Sequence, residues 1–433
     1  MDAQNNICAM RRILLKSGVI LSATAVIPAA FAGIPSRLLA TNKRDIPTMS
    51  EKIEPFHLAI PQAQLDDLRR RLELTRWPTR ETVNDTSQGP QLAKIQALCS
   101  YWLKDYDWRK CESLLNGYGQ YKTTIDGLGI YFLHIRSPEP DALPLLMCHG
   151  WPGSVLEFRD VIGPLSNPAA HGGNARNAFH LIIPSMPGFG FSDKPSEPGW
   201  TLERIADLYV TLMERLGYQR WAMQGGDLGA AITDTIALKA PAGCIGMHSN
   251  FAMFQPTPEE IAAATPDEKA MLASGMNFWD KLSAYAKQQQ TRPQTIGYAL
   301  ADSPVAQATW IYQMFQDTSG TPGNAEGSFT FDQMLDDIML YWLPNTGSSS
   351  ARLYWEMVQA RWSPPASLAK PITLPTGFTM APQEAVRKSK RWTERRYTKL
   401  FHFNELTKGG HFVAMEQPVA FVDEVRATFA KLR

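Results

Sequence analysis

The sequence carries almost no net charge: 43 Lys and Arg stand against 42 Asp and Glu over 433 residues. No basic stripe or acidic run interrupts that balance, which on electrostatic grounds excludes nucleic acid and anionic membrane surfaces as partners. Cysteine is scarce, with five in the chain, and Cys99, Cys111, Cys148 and Cys244 lack the paired spacing of a metal site. Cys148 and Cys244 fall in apolar, strand-like runs and read as buried thiols. Cys99 and Cys111 form a pair that an oxidising compartment could close. There is no internal repeat, and the apolar stretch from Gly18 to Ala32 is shorter than the roughly 20 residues that span a bilayer. What remains is an ordinary globular composition, 44% hydrophobic and 20% charged. The chain is long enough for about two to three folding units and a large core.

The short apolar stretch has a telling context. It follows Arg11-Arg12-Ile13-Leu14-Leu15-Lys16 and ends at Ala30-Phe31-Ala32. A charged start, a short apolar run and a small-residue cleavage pattern make residues 1–32 a twin-arginine-type export signal. That predicts a bacterial periplasmic or secreted product with no stable membrane insertion once the signal is removed. Residues 51–120 are helical and aromatic in pattern. Leu65, Leu68 and Leu72 form one apolar stripe, and Trp77-Pro78 punctuates it. This segment reads as a meander laid over a larger domain.

The period then changes. Residues 125–135 alternate around Asp126-Gly127 as a hairpin does. Short apolar runs follow at Leu145–Cys148, His180–Pro184, Trp221–Gln224 and Ile372–Leu374, separated by turns and helical stretches. Alternating strand and helix predicts an α/β fold, a mostly parallel sheet with helices on both faces. Residues 251–366 lack strand-like runs and read as a helical lid inserted between residues 121–250 and 367–433, the two parts of the core.

Three motifs carry chemistry. Gly225-Gly226-Asp227-Leu228-Gly229 sits between a strand and a helix, the setting of a nucleophile elbow. An ester-cleaving enzyme has Ser at its centre; here it is Asp. A carboxylate is already ionised at neutral pH and attacks an electrophilic sp³ carbon to give an ester that water can cleave. Such a residue points to an epoxide or a halide as substrate, although an Asp in this turn also serves as a helix N-cap. His149-Gly150-Trp151-Pro152-Gly153 follows another strand and offers the N–H of Trp151, with that of Leu228, as an oxyanion hole. His149 itself reads as a structural hydrogen-bonder. Gly409-Gly410-His411-Phe412 puts His411 where a base would activate water. In chain order the orienting acid falls between nucleophile and base, and Glu384 is the acid of the loop after Ile372–Leu374. A Glu there also suits a helix N-terminus.

Together these motifs resemble the microsomal epoxide hydrolase group, which includes juvenile-hormone hydrolases and bacterial relatives. The resemblance runs from Ile53 to the C-terminus and adds Glu54-Pro55-Phe56, Thr75-Arg76-Trp77-Pro78, Tyr106-Asp107-Trp108-Arg109 and Pro375-Thr376-Gly377-Phe378. It implies the α/β-hydrolase fold, no metal or organic cofactor, and two lid tyrosines that bind the epoxide oxygen. By local match these are Tyr285 and Tyr354. Leu228 stands where mammalian members tend to have Trp, which alters one wall of the pocket. The expected partners are a small apolar epoxide and water, with a homodimer allowed. A haloalkane dehalogenase and a catalytically idle binding protein of the same fold stay open as alternatives.

Overall fold

A computed structural model describes residues 52–359 and 370–433. The segment read as an export signal, with Arg11, Arg12 and Cys8, lies outside them. One sheet of nine strands organises the chain: β1 (Glu54–Pro55), β2 (Gln120–Ile125), β3 (Leu128–Ile135), β4 (Leu143–Cys148), β5 (Phe179–Pro184), β6 (Trp221–Gly225), β7 (Cys244–Ser249), β8 (Thr376–Met380) and β9 (Leu400–Glu405). Their spatial order is β1-β2-β3-β5-β4-β6-β7-β8-β9. The β1–β2, β2–β3 and β3–β5 pairs are antiparallel, and every later pair is parallel. The inner strands are largely apolar because helices cover both faces; all six residues of β4 are buried. This is the mostly parallel α/β architecture that the strand-helix alternation predicts.

Ile372–Leu374 is not the strand it reads as. Only Ile372 pairs there, in an isolated bridge with Tyr397, and the strand begins at Thr376. Pro371 and Pro375 bracket the apolar run and remove two of its backbone donors. Gly377 lies inside β8, and the position requires glycine because a Cβ there would meet the Thr428 hydroxyl. The disulfide considered for Cys99 and Cys111 does not form; both are buried free thiols.

Between β7 and β8 the described chain is helical from Pro258 to Gln359, with one π-helical turn at Phe278–Leu282. The lid helices are delimited by caps written in the sequence: Thr257, Thr265 and Thr330 each close a reciprocal capping box with Glu260, Glu268 and Gln333. The N-terminal meander comprises helices Gln62–Glu73, Leu92–Lys104 and Trp108–Asn116. It packs on the lid: Tyr101 and Tyr106 donate to Asp332 and Asp336, and Lys94 pairs with Glu326. No described helix is long and apolar enough to cross a membrane.

Candidate active site

Strands β4 and β6 are neighbours, but the chain runs from β4 to β5 on one side and returns for β6 on the other. Their carboxyl ends therefore flank the crevice where open α/β sheets bind ligands. At the end of β6 the chain enters helix Asp227–Lys239 with Asp227 at φ 47°. Left-handed backbone is strained for a residue with a side chain. Small neighbours make the turn possible. A Cβ on Gly225 would lie 2.4 Å from the Gly229 carbonyl oxygen, and one on Gly229 would lie 2.0 Å from that of Cys148.

The Asp227 carboxylate is lifted clear of the sheet and met by backbone donors. The Trp151 N–H donates to its Oδ1 at 3.0 Å, and the Leu228 N–H also bonds it. Burial pushes the carboxyl up from its ordinary range, while the charge of His411 and these two N–H groups pull it back down. His149 does not enter the site chemically; its Nδ1 contacts the Gly150 carbonyl at 2.9 Å.

His411 follows β9 and is anchored by its backbone N–H, which donates to the Thr318 carbonyl at 2.8 Å. Its Nδ1 lies 2.7 Å from Glu384 Oε2 and its Nε2 3.6 Å from Asp227 Oδ2. Glu384 is 2% exposed, in the loop after β8, where its other oxygen accepts from the Val386 N–H. Burial opposes a charged imidazole here. The charge and hydrogen bond of Glu384, with Asp227 and Glu157, outweigh it and raise the His411 pKa to about 10.

Across the crevice, Tyr285 lies on helix Ala284–Thr291 and Tyr354 on helix Gly347–Gln359. Tyr285 stacks on Trp151 with ring centroids 4.8 Å apart, and Tyr354 stands edge-on to both. Burial pushes both phenols up, and the nearby Asp227 charge adds to it. The other tyrosines of the lid lie elsewhere. Tyr312 bonds Glu326, Tyr341 bonds the Gly153 carbonyl and Tyr298 is exposed.

Asp227, Leu228, Tyr285, Tyr354, Glu384 and His411 line one cavity of about 210 Å³ whose remaining wall includes Phe251, Met253, Phe278, Trp279, Met314 and Met357. Larger grooves of about 850 and 830 Å³ contain none of the six. One acid escaped the sequence reading. Glu157, on the turn Val155–Phe158, reaches the same locality and adds its charge to that around His411. An acid in the run Val155-Leu156-Glu157-Phe158 carries no sequence signal that sets it apart from a capping residue. Among the described residues, no cluster of three or more His, Cys, Asp or Glu could hold a metal ion.

Comparison with known proteins places this geometry. The family profile described as epoxide hydrolase N terminus matches residues 53–158, and that of the alpha/beta hydrolase fold matches residues 144–320. An inferred epoxide hydrolase of Stigmatella aurantiaca is 50% identical over 88% of this chain and 86% of its own. Epoxide hydrolase 1 of Sus scrofa is 33% identical over 87% and 88%. The crystal structure of juvenile hormone epoxide hydrolase from Bombyx mori superposes with a TM-score of 0.81 at 28% identity, covering 89% of this chain and 96% of that one. With half its residues shared along most of a relative's length, on the same fold, the chain belongs to the epoxide hydrolase family.

Proposed function

We propose that the enzyme converts a small apolar epoxide to a vicinal diol in two steps through an ester on Asp227. In the first, an oxygen of Asp227 attacks an epoxide carbon, the C–O bond of the ring breaks, and Tyr285 and Tyr354 bind the departing oxygen and supply its proton. In the second, the ester has removed the Asp227 charge that helps keep the imidazole protonated, and His411, in its neutral form and oriented by Glu384, takes a proton from water, which attacks Cγ of Asp227. The N–H groups of Trp151 and Leu228 stabilise the tetrahedral oxyanion. The Cγ–O bond to the substrate then breaks, the departing alkoxide takes the proton from His411, and the second water proton passes from the new carboxyl to the tyrosine that gave up its own, which restores carboxylate and phenol and releases diol.

The observation that carries this reading is the pair of phenols facing Asp227 in one apolar cavity. A departing halide is held by indole or amide N–H groups and needs no proton, whereas an epoxide oxygen does. The cavity's size and its Phe, Trp and Met lining favour a compact apolar epoxide such as styrene oxide. The route is tested by whether one turnover in heavy-oxygen water leaves label in Asp227. We also propose export of the enzyme through the residue 1–32 signal, on the strength of Arg11-Arg12 and Ala30-Phe31-Ala32. N-terminal sequencing of the secreted enzyme tests it, and an N-terminus that retains the signal would contradict it.

A further inference from the structure

Beside the substrate cavity lies a much smaller one, bounded by Glu157, Asp227, His411, Phe412 and the Gly150–Trp151 turn. It leaves about 10 Å³ for the centre of a water molecule, which is room for one. A single confined water needs about two to four polar partners. Three side chains on this wall can provide them: the Asp227 carboxyl, the His411 imidazole and the Glu157 carboxyl. Asp227 and His411 also line the substrate cavity, but Glu157 does not. The two spaces therefore meet at the reacting pair from different sides, and Glu157 belongs to the smaller space alone.

Glu157 is an expensive residue to keep there. It is buried, and no Lys or Arg pairs with it among the described residues. Burial pushes its carboxyl up to about 7, against the pull of the His411 charge, while Asp227 pushes the same way as burial. The local chain is shaped to admit it. Ser154 caps the turn Val155–Phe158 by accepting from the Leu156 N–H, and this turn aims Glu157 inward. Gly153 leaves the space that the carboxylate uses, since a Cβ there would stand 2.4 Å from Glu157 Oε2. Glu157 also accepts from the Gly150 N–H, a bond that a neutral Gln would accept without the cost of a buried charge.

We propose that Glu157 holds the attacking water, accepting a hydrogen bond from it while His411 removes its other proton. The assignment rests on the two-step ester reading. One water hydrogen stays on the oxygen, bonded to Glu157, and the other passes to Nε2 of His411. The new C–O bond forms at Cγ of the Asp227 ester, on the side away from the substrate cavity. When the Cγ–O bond to the substrate breaks, the departing alkoxide takes the proton that His411 received, and the hydrogen left on the new Asp227 carboxyl passes to the tyrosine that gave up its proton in the first step. Glu157 ends the cycle unchanged.

The test is acid-quenched single turnover of styrene oxide by the wild type, Glu157→Gln and Glu157→Asp, following the mass of the protein-bound ester with time. Ester formation should stay within about twofold of wild type in both variants, while ester breakdown slows roughly 10- to 100-fold. In the steady state kcat and KM should fall together, leaving kcat/KM nearly unchanged. A merely structural role would not split the two steps. Equal ester breakdown in all three proteins would overturn the assignment. So would parallel loss of both steps, or failure of both variants to fold. Absence of any ester in the wild type would instead overturn the two-step reading on which the assignment depends.

Discussion

Two phenols, Tyr285 and Tyr354, line the cavity that Asp227 and His411 also line, and Tyr298, Tyr312 and Tyr341 do not. Burial and the Asp227 charge both disfavour a phenolate, so Tyr285 and Tyr354 stay protonated, as the proposed role of donor to the epoxide oxygen requires. Tyr285→Phe or Tyr354→Phe should slow ester formation roughly 10- to 100-fold each, and the double variant more than about 1000-fold. Single-turnover kinetics would read this, and an unaffected double variant would contradict it. These two residues were reachable by resemblance alone, because five lid tyrosines compete for two places and only geometry removes Tyr298, Tyr312 and Tyr341. Asp227 and His411 were legible directly, since the small residues around each are demanded by close backbone approach. Glu384 was reached through chain order. Glu157 was not legible: an acid within Val155-Leu156-Glu157-Phe158 reads as a surface or capping residue until the turn is seen to aim it inward.

At the scale of elements, the helix that begins at Asp227 is tied to the helix that follows the Glu384 loop. Asp234 lies seven residues beyond Asp227 on the same helix and is buried. It accepts from Arg396 at 2.9 Å and from the Tyr397 hydroxyl at 2.9 Å. Arg396 ends helix Lys390–Arg396, which follows the Glu384 loop, and is itself 1% exposed. Removing one partner of a buried pair strands the other. Arg396→Met should therefore destabilise the fold by about 3–5 kcal/mol, read by urea denaturation; a loss below about 1 kcal/mol would contradict the tie. The sequence made most strands visible because period-2 and all-apolar runs bounded by turns survive in the fold. It misdirected at Ile372–Leu374, where prolines on both sides of an apolar run matter more than its hydropathy. Close packing of Gly377 against Thr428 is a tertiary fact that no local pattern carries.

Across the whole molecule, balanced net charge hides opposed titrations. His149 and His248 are buried as neutral rings, and burial pushes them down to about 4 and about 3. A histidine whose folded pKa lies below its unfolded value stabilises nothing by charging. Stability is present above about 6.5 and is lost as pH falls through 6.5 toward those folded values. His411 runs the other way: its contribution is full below about 6.5 and fades as pH rises toward about 10. Comparison with His248→Gln isolates one of these. Between pH 7 and pH 5 the wild type should lose about 2 kcal/mol more than the variant, read by urea unfolding at both values; equal losses would contradict the buried neutral ring. The meander was legible as a cover, but its seat on the lid was not. That seat depends on Tyr101, Tyr106 and Lys94 reaching acids more than 200 residues away in sequence.

The central claim is that Asp227 becomes an ester whose own carbonyl carbon is attacked by water. Excess enzyme should be mixed with styrene oxide in heavy-oxygen water for one turnover, and the label located by peptide mass spectrometry. One heavy oxygen in the peptide containing Asp227 and an unlabelled first diol are expected, because the diol takes its second oxygen from the carboxylate. Label in the diol with none in Asp227 would mean direct attack of water on the epoxide and would contradict it.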